Sequence, residues 1–277
     1  MTHSAGMIGG LHFARGGTNV IMSKAAPDLI CNAIEKYRVT HLFLPPTVVY
    51  MMLALPDVRS RDYSSLKHFL VGAAPTSVEK LKEAISVFGP VMTEAFGQSE
   101  APAAITAKSP RDYLDAQGNI NERRLASIGR PCVNNRVVIL DEDGSEVKRG
   151  CAGEICIQGD LVSPGYYKNP EATAEVRKFG WHHTGDVGVM DFEGFITIVD
   201  RKKDMIITGG FNVFPNEIEQ VLNSHPSVQD CAVIGVPDEK WGESVSAIVQ
   251  LKPGMKCVQE ELIDLCKKEL GSVKAPK

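Results

Sequence analysis

LKHFLVGAAPTSVEKLKEAISVFGPVMTEAFG, residues 66–97, sets two short apolar runs on either side of a helical pattern. Leu66 to Val71 is the first run, and it ends at Gly72. Val78, Leu81, Ile85 and Phe88 follow at helical spacing, and Val91 to Phe96 is the second run, ending at Gly97. Apolar residues three and four apart mark one face of a helix, whereas short apolar runs stopped by glycine mark strands. Upstream, Pro27-Asp28 is a helix start, with Leu29, Ile30, Ala33, Ile34 and Tyr37 on one face. Thr40 to Leu44 is another run, stopped by Pro45-Pro46. Strand, helix, strand, helix, strand predicts a partial parallel α/β subdomain with crossover helices, over residues 1–125. Ligands of such sheets gather where strands end, so the turns at Gly72 and Gly97 are expected on one rim.

The pattern changes downstream. Arg136 to Leu140, Glu154 to Gln158 and Phe195 to Val199 are short runs separated by glycine-bearing turns, predicting a small β-barrel-like subdomain over 126–200. Between the two, Lys108 to Arg124 is polar and reads as a surface loop. After Arg201, a helix from Pro215 to Asn223, strands at 231–236 and 245–251, and a helix from Gln259 to Leu270 predict a small α+β C-terminal domain, 201–277. Asp200-Arg201-Lys202-Lys203-Asp204 is the expected linker.

Composition narrows the function classes. The 277 residues carry a formal net charge of −4, so no basic field draws nucleic acid. No apolar run approaches the roughly 18 residues of a membrane helix, and the start has no charged leader before an apolar stretch; the cytoplasm is expected. The seven cysteines are scattered and form no CxxC, which favours reduced thiols over a disulfide framework or zinc site. His182 and His183 would point to opposite faces of a strand, making them poor joint metal ligands.

Seven short blocks carry the chemistry, in this order: Thr93–Glu100 (TEAFGQSE), Gly153-Glu154-Ile155, Gly165-Tyr166-Tyr167, Trp181–Asp186 (WHHTGD), Asp200–Asp204 (DRKKD), Gly209–Val213 (GGFNV) and Val236–Glu243 (VPDEKWGE). Together they span nearly the whole chain and resemble the adenylate-forming (AMP-binding) superfamily, in particular its acyl-CoA synthetases, including the fatty-acid–CoA ligases. The resemblance implies an acid–thiol ligase that makes an acyl-adenylate from ATP and a carboxylate, then passes the acyl group to coenzyme A.

Carboxylate attack on an α-phosphate sets one anion against another, so it needs a metal, oriented donors and a fixed nucleotide. By resemblance, Glu100 is the Mg²⁺ ligand and Ser99 the donor to the α-phosphate, with Ser where Thr is commoner. Phe96 offers a ring to adenine where Tyr is usual, within a nucleotide-binding stretch of Glu94, Ala95, Phe96, Gly97, Gln98 and Ser99. Gly72-Ala73-Ala74-Pro75 matches the turn beside adenine, with Ala in place of the common second glycine. Asp186 corresponds to the ribose-binding aspartate, expected at a strand end, and Arg201 to an arginine that reaches the nucleotide. Ile198 either packs on adenine or is an ordinary core residue of its strand. Lys203 matches the catalytic hinge. Gly209, Gly210 and Phe211 match the loop that lines the pantetheine path; a plain tight turn is the alternative.

The acyl pocket that the resemblance implies, of His3, Val71, Gly72, Gly97, Ala101, Pro102 and Ala103, would be lined by small or apolar residues apart from His3, which suits an aliphatic or aromatic acid. The family's Ser/Thr/Gly-rich phosphate loop and catalytic lysine have no counterpart here, so a fragment, truncated at both ends and inactive or weak alone, is expected. An AMP- or CoA-binding module without turnover and a carrier-protein-linked adenylation domain stand as alternatives, and a homodimer is left open.

Overall fold

The structure, a computed structural model, describes residues 4–277, apart from the side chains of Ser4, Ala5, Met7 and Ala103. His3 and the side chain of Ala103, both expected in the acyl pocket, lie outside the described residues. The chain divides into two compact units, Met1–Arg136 with Gly159–Gly165, and Val137–Gln158 with Tyr166–Lys277.

In the first unit, helices α1 (Ser4–Ala14), α2 (Pro27–Tyr37), α3 (Pro46–Leu53), α4 (Val78–Phe88) and α5 (Glu122–Leu125) accompany a five-stranded sheet in the order β1 (His41–Leu44), β2 (His68–Val71), β3 (Met92–Gln98), β4 (Ala101–Lys108), β5 (Arg130–Pro131). The first three strands are parallel and the last two run antiparallel to their neighbours. Proline at the start of α2 and an acidic residue in its first turn favour initiation there. Its Ile30, Cys31, Ala33 and Ile34 are buried, as are Leu81, Ala84, Ile85 and Phe88 of α4. These faces cover Phe69, Val71 and Met92 of the sheet. Each such large side chain contributes roughly 1.5–3 kcal/mol on burial.

Two expectations are corrected here. Gly97 does not end its strand: β3 runs on to Gln98, and Ser99-Glu100 is the two-residue loop that returns the chain into β4. The polar stretch from Lys108 to Arg124 is largely at the surface, as expected, but Lys108, Tyr113 and Arg124 within it are buried. Lys108 ends β4, and its side chain is wholly buried. Its ammonium lies 2.7 Å from Glu94 Oε2 and donates to the carbonyls of Arg124, Leu125 and Ser127 at 2.6–3.1 Å. The Tyr113 ring sits 4.4 Å from the ammonium, and the Tyr113 hydroxyl donates to Glu94 at 2.7 Å. Burial pushes the Lys108 ammonium below the ordinary lysine range, against the pull of Glu94.

The second unit holds two sheets. One has the order β10 (Ile196–Arg201), β9 (Trp181–Met190), β7 (Ala152–Gly159), β6 (Asn135–Leu140), with β8 (Arg177–Lys178) also on β9; a short helix, α6 (Pro170–Glu175), precedes β8. Ile155, Ile157 and Ile196 are wholly buried in it. The other has the order β12 (Phe211–Val213), β11 (Ile206–Thr208), β14 (Gly242–Leu251), β13 (Val228–Asp238) and is covered by α7 (Pro215–Asn223) and α8 (Gln259–Leu270) around Ile206, Val213, Ile218, Leu222 and Val245. These sheets and the first unit's parallel strands bear out the predicted α/β class with its β-rich and small C-terminal parts. The expected linker is only partly free. Asp200 is a buried strand residue whose Oδ2 accepts the Asn216 backbone N–H at 3.0 Å, satisfying an open donor at the start of α7. All seven cysteines are free thiols.

The buried Lys108 yields a first prediction. Lys108→Ala leaves the Glu94 carboxylate without its counter-charge and should cost roughly 3–5 kcal/mol. Adding Glu94→Gln should recover part of it. Urea unfolding of the two single variants and the double variant measures the coupling, and simple additivity would count against the pair.

Candidate nucleotide-binding site

In the first unit the matched blocks converge on one end of the sheet. Val71 pairs with Glu94 across β2 and β3, so Gly72 follows beside Ala95. A Cβ on Gly72 would stand 3.2 Å from the Ala95 carbonyl oxygen, which leaves little room for any other residue. Ala73 has φ +75°, a left-handed conformation that costs an L-residue and that glycine adopts freely. The alanine that weakens the sequence match therefore occupies a glycine-type position. Ala73, Ala74 and Pro75 are exposed.

The β3–β4 hairpin carries the other block. Glu94 pairs with Lys108 and Gln98 with Ala101, with a register shift between Phe96 and Gln98. Phe96 is half-buried, Gly97 and Ser99 are exposed, and Glu100 is half-buried. The Glu100 carbonyl accepts the Ser163 N–H at 2.7 Å, which fixes the hairpin tip. Of the expected acyl-pocket residues, Val71 and Ala101 are wholly buried, Gly72 is half-buried and Pro102 is exposed.

In the second unit Asp186 is not at a strand end but inside the ten-residue β9, in a bulge. Glu154 of β7 pairs with Val187 and Cys156 pairs with His183, so Thr184, Gly185 and Asp186 face only Ile155. Gly185 makes this possible with φ +76°. Each bulge residue is tied down. Thr184 Oγ1 donates to the Ile155 carbonyl at 2.7 Å, and the Gly185 N–H donates to Glu154 Oε1 at 3.1 Å. Glu154 Oε2 also meets His183 Nδ1 at 3.1 Å and Lys202 Nζ at 3.3 Å. Against the burial that would raise it, these two partners hold the Glu154 carboxyl below its ordinary range.

Arg201 pairs with Asp186 across β10 and β9, its Nε 3.7 Å from Asp186 Oδ1. The Asp186 side chain is 13% exposed, the Arg201 side chain 62%. Burial pushes the Asp186 carboxyl up to about 6, with Arg201 working against it. A carboxylate so poorly hydrated gains from any hydroxyl or N–H donor brought to it. Ile198, opposite Gly188, is half-buried rather than a core residue.

Lys203 is exposed, in the turn after β10. Gly209 and Gly210, at φ +57° and +81°, form the two-residue loop between β11 and β12, the conformation such hairpins require. A Cβ on Gly209 would lie 2.9 Å from the Trp241 ring. Phe211 is exposed.

Comparison with known proteins decides the family. Residues 1–167 match the AMP-binding enzyme family and residues 217–277 the AMP-binding enzyme C-terminal domain. The chain belongs to the AMP-binding enzyme family. It is 44% identical over 270 residues to a medium/long-chain-fatty-acid–CoA ligase, FadD8, of Mycobacterium tuberculosis, covering 95% of this chain and 46% of that protein. Among solved structures, the amide bond synthetase McbA of Marinactinospora thermotolerans superposes with a TM-score of 0.91 at 35% identity, over 99% of this chain and 55% of that one. The o-succinylbenzoate CoA synthetase MenE of Bacillus subtilis, in complex with its acyl-adenylate intermediate OSB-AMP, gives a TM-score of 0.82 at 29% identity, over 96% and 52%. The chain thus spans about half the length of the relatives it matches. No helix among the described residues is long and apolar enough to cross a membrane.

Around the AMP-binding blocks, three supporting residues escaped sequence reasoning. Glu154 was visible as part of a block but carried no role; its bonds to Gly185, His183 and Lys202 show that it braces the Asp186 bulge. Lys108 and Tyr113 brace Glu94 from a segment whose polarity masked its burial.

Two measurements follow. Ala73→Gly should raise stability by about 1 kcal/mol, read by urea unfolding, because it relieves a left-handed alanine. The Asp186 carboxyl titrates at about 6 in the folded chain against an ordinary 3.8. Its contribution is therefore fully present below about 3.8 and lost as pH rises through about 6. Asp186→Asn should be more stable than the parent above about pH 6, by at most about 3 kcal/mol, and the difference should vanish toward pH 4. Melting temperatures across that range test it.

Proposed function

We propose that this chain binds the adenylate of an acid–thiol ligase reaction: activation of an aliphatic or aromatic carboxylic acid to acyl-AMP, followed by transfer to coenzyme A. The observation that carries the reading is the Asp186–Arg201 pair in its braced bulge, since a poorly hydrated carboxylate seeks donors such as the two hydroxyls of a ribose. Phe96 supplies a half-buried ring for adenine, bordered by Gly72, Ala73, Ala74, Pro75 and the backbone of Glu94, Ala95 and Gly97. Ile198 offers an apolar side to the base. Ser99, exposed at the hairpin tip, would donate to a phosphate oxygen in this reading, and Gln98 lies beside it.

Glu100 and Ser99 offer the hard oxygen donors that Mg²⁺ takes, so the residues fit that ion. When bound, it would neutralise phosphate charge. The acid's tail lies, in this reading, along Gly97, Ala101 and Pro102, with Val71 behind. That the relatives include a medium/long-chain-fatty-acid–CoA ligase supports an apolar acid. Residues 201–277 would turn about Lys203 between the two half-reactions, bringing Gly209, Gly210 and Phe211 to the pantetheine arm.

Calorimetric titration with AMP tests the core of this reading. Donated hydroxyl hydrogen bonds favour the ionised Asp186, so affinity should fall as pH drops below about 6. Asp186→Asn should weaken AMP by roughly 10–100-fold, the cost of about 1.5–3 kcal/mol for bonds to a charged acceptor, and should flatten the pH profile. AMP affinity indifferent both to pH and to that substitution would refute the ribose role.

A further inference from the structure

We propose that His225, Cys257 and Glu261 form a binding site for a borderline-soft divalent cation, with Zn²⁺ the ion that fits. The site shares no residue with the nucleotide-binding set named above and does not depend on that reading. His225 follows the end of α7, while Cys257 just precedes the N-cap of α8 and Glu261 lies in the first turn of that helix. His225 Nε2 lies 3.2 Å from Glu261 Oε1, and Cys257 Sγ lies 3.3 Å from Glu261 Oε2. The three ligand atoms fall within 4.8 Å of one another, the one group of three such donors among the described residues to meet this closely.

The spacing suits the ion. Zinc holds imidazole nitrogen and carboxylate oxygen at about 2.0–2.2 Å and thiolate sulfur at about 2.3 Å. Donors at the corners of such a tetrahedron stand roughly 3.3–3.7 Å apart; His225 and Cys257 already stand at about that distance from the two Glu261 oxygens, and the three donors, within 4.8 Å of one another, close onto a single ion by a small shift. The donor types also select: nitrogen, sulfur and oxygen together favour zinc over the all-oxygen coordination of calcium or magnesium. The His225 side chain is only 13% exposed, so its ring is held by packing rather than free to swing. Three protein ligands leave a fourth position for water or an anionic donor.

The proton balance is simple. The Ser227 N–H donates to His225 Nδ1 at 3.3 Å, so in the ion-free protein the ring proton sits on Nε2, facing Glu261. The Cys257 thiol donates to the other carboxylate oxygen. On binding, Nε2 becomes the ligand and the ring proton moves to Nδ1, displacing the long Ser227 bond. The thiol becomes a thiolate, and one proton is released to solvent. The ion then ties the end of α7 to the start of α8.

Co²⁺ titration of the whole chain tests this, because a thiolate ligand gives a charge-transfer band in the near ultraviolet. Wild-type protein and Cys151→Ser, which removes an exposed thiol elsewhere, should both develop the band, and Zn²⁺ should abolish it. Cys257→Ser should show none. His225→Ala and Glu261→Gln should each weaken binding by more than the roughly 10–100-fold that loss of an outer-shell partner costs. Melting of each variant without metal confirms that it is folded, and Zn²⁺ should raise the melting temperature of the wild type and of Cys151→Ser but not of Cys257→Ser. No band in wild-type protein, or an undiminished band in Cys257→Ser, overturns the site.

Discussion

A lysine ammonium taken wholly out of water has to be neutralised and hydrogen-bonded, and in the first unit that requirement organises the β3–β4 hairpin and the chain that follows it. Lys108 meets it with Glu94, three carbonyls and the face of Tyr113. The carbonyls come from residues 124–127, so the chain beyond β4 must fold back over the lysine before it can enter β5. Glu94 and Lys108 are direct partners across β3 and β4. A slip of one residue would turn the lysine to the other face and strand two charges. The pair thereby fixes the register of the hairpin, and the register in turn puts Ser99 and Glu100 at its tip.

The second unit uses a carboxylate in the same way. Glu154 holds Gly185 by one oxygen and His183 and Lys202 by the other, so the bulge in β9 is clamped from the neighbouring strand. A regular strand would alternate its side chains and give Asp186 and Thr184 the same face. The bulge frees Thr184 to bond the Ile155 carbonyl while Asp186 turns to Arg201. The end of β10 divides its labour similarly: Asp200 faces the start of α7, and Arg201, the next residue, faces Asp186. One supporting glutamate in each unit stands behind the residues matched to the nucleotide.

The elements legible in the sequence were those whose apolar period is clean. The faces of α2, α4, α7 and α8 and the cores of β1, β2, β3, β6 and β7 all stand out by spacing. β9, the longest strand of its sheet, did not, because His182, His183, Thr184, Gly185 and Asp186 interrupt any alternation. The interruption is the bulge, and the bulge is the candidate site. Lys108 was misread as part of a surface loop because polarity was taken for exposure, yet a lysine with carbonyl and carboxylate partners is buried at tolerable cost. The individual blocks were legible only as a set. Nothing local marks His225 as a neighbour of Cys257 and Glu261, since tertiary packing of α7 on α8 brings it to them.

The structure also sets a cost on the rotation proposed at Lys203. The exposed turn at residues 202–204 offers little resistance, but the residues on either side of it do. Asp200 accepts from Asn216 N, and the Asn216 side chain donates to the Val199 carbonyl at 3.3 Å. A turn that carries α7 away from β10 breaks both bonds, one to a charged acceptor and one to a neutral one, for roughly 2–4 kcal/mol. Burial raises the Asp200 carboxyl, so its return to water offsets part of this. The rotated arrangement is then a minor state, roughly a few per cent to a fraction of one per cent of molecules. A ligand that favours it has to supply that difference through contacts absent in the resting arrangement, and the two-glycine loop beside Trp241, with Phe211 exposed next to it, is the part of the C-terminal sheet with aromatic surface left to offer.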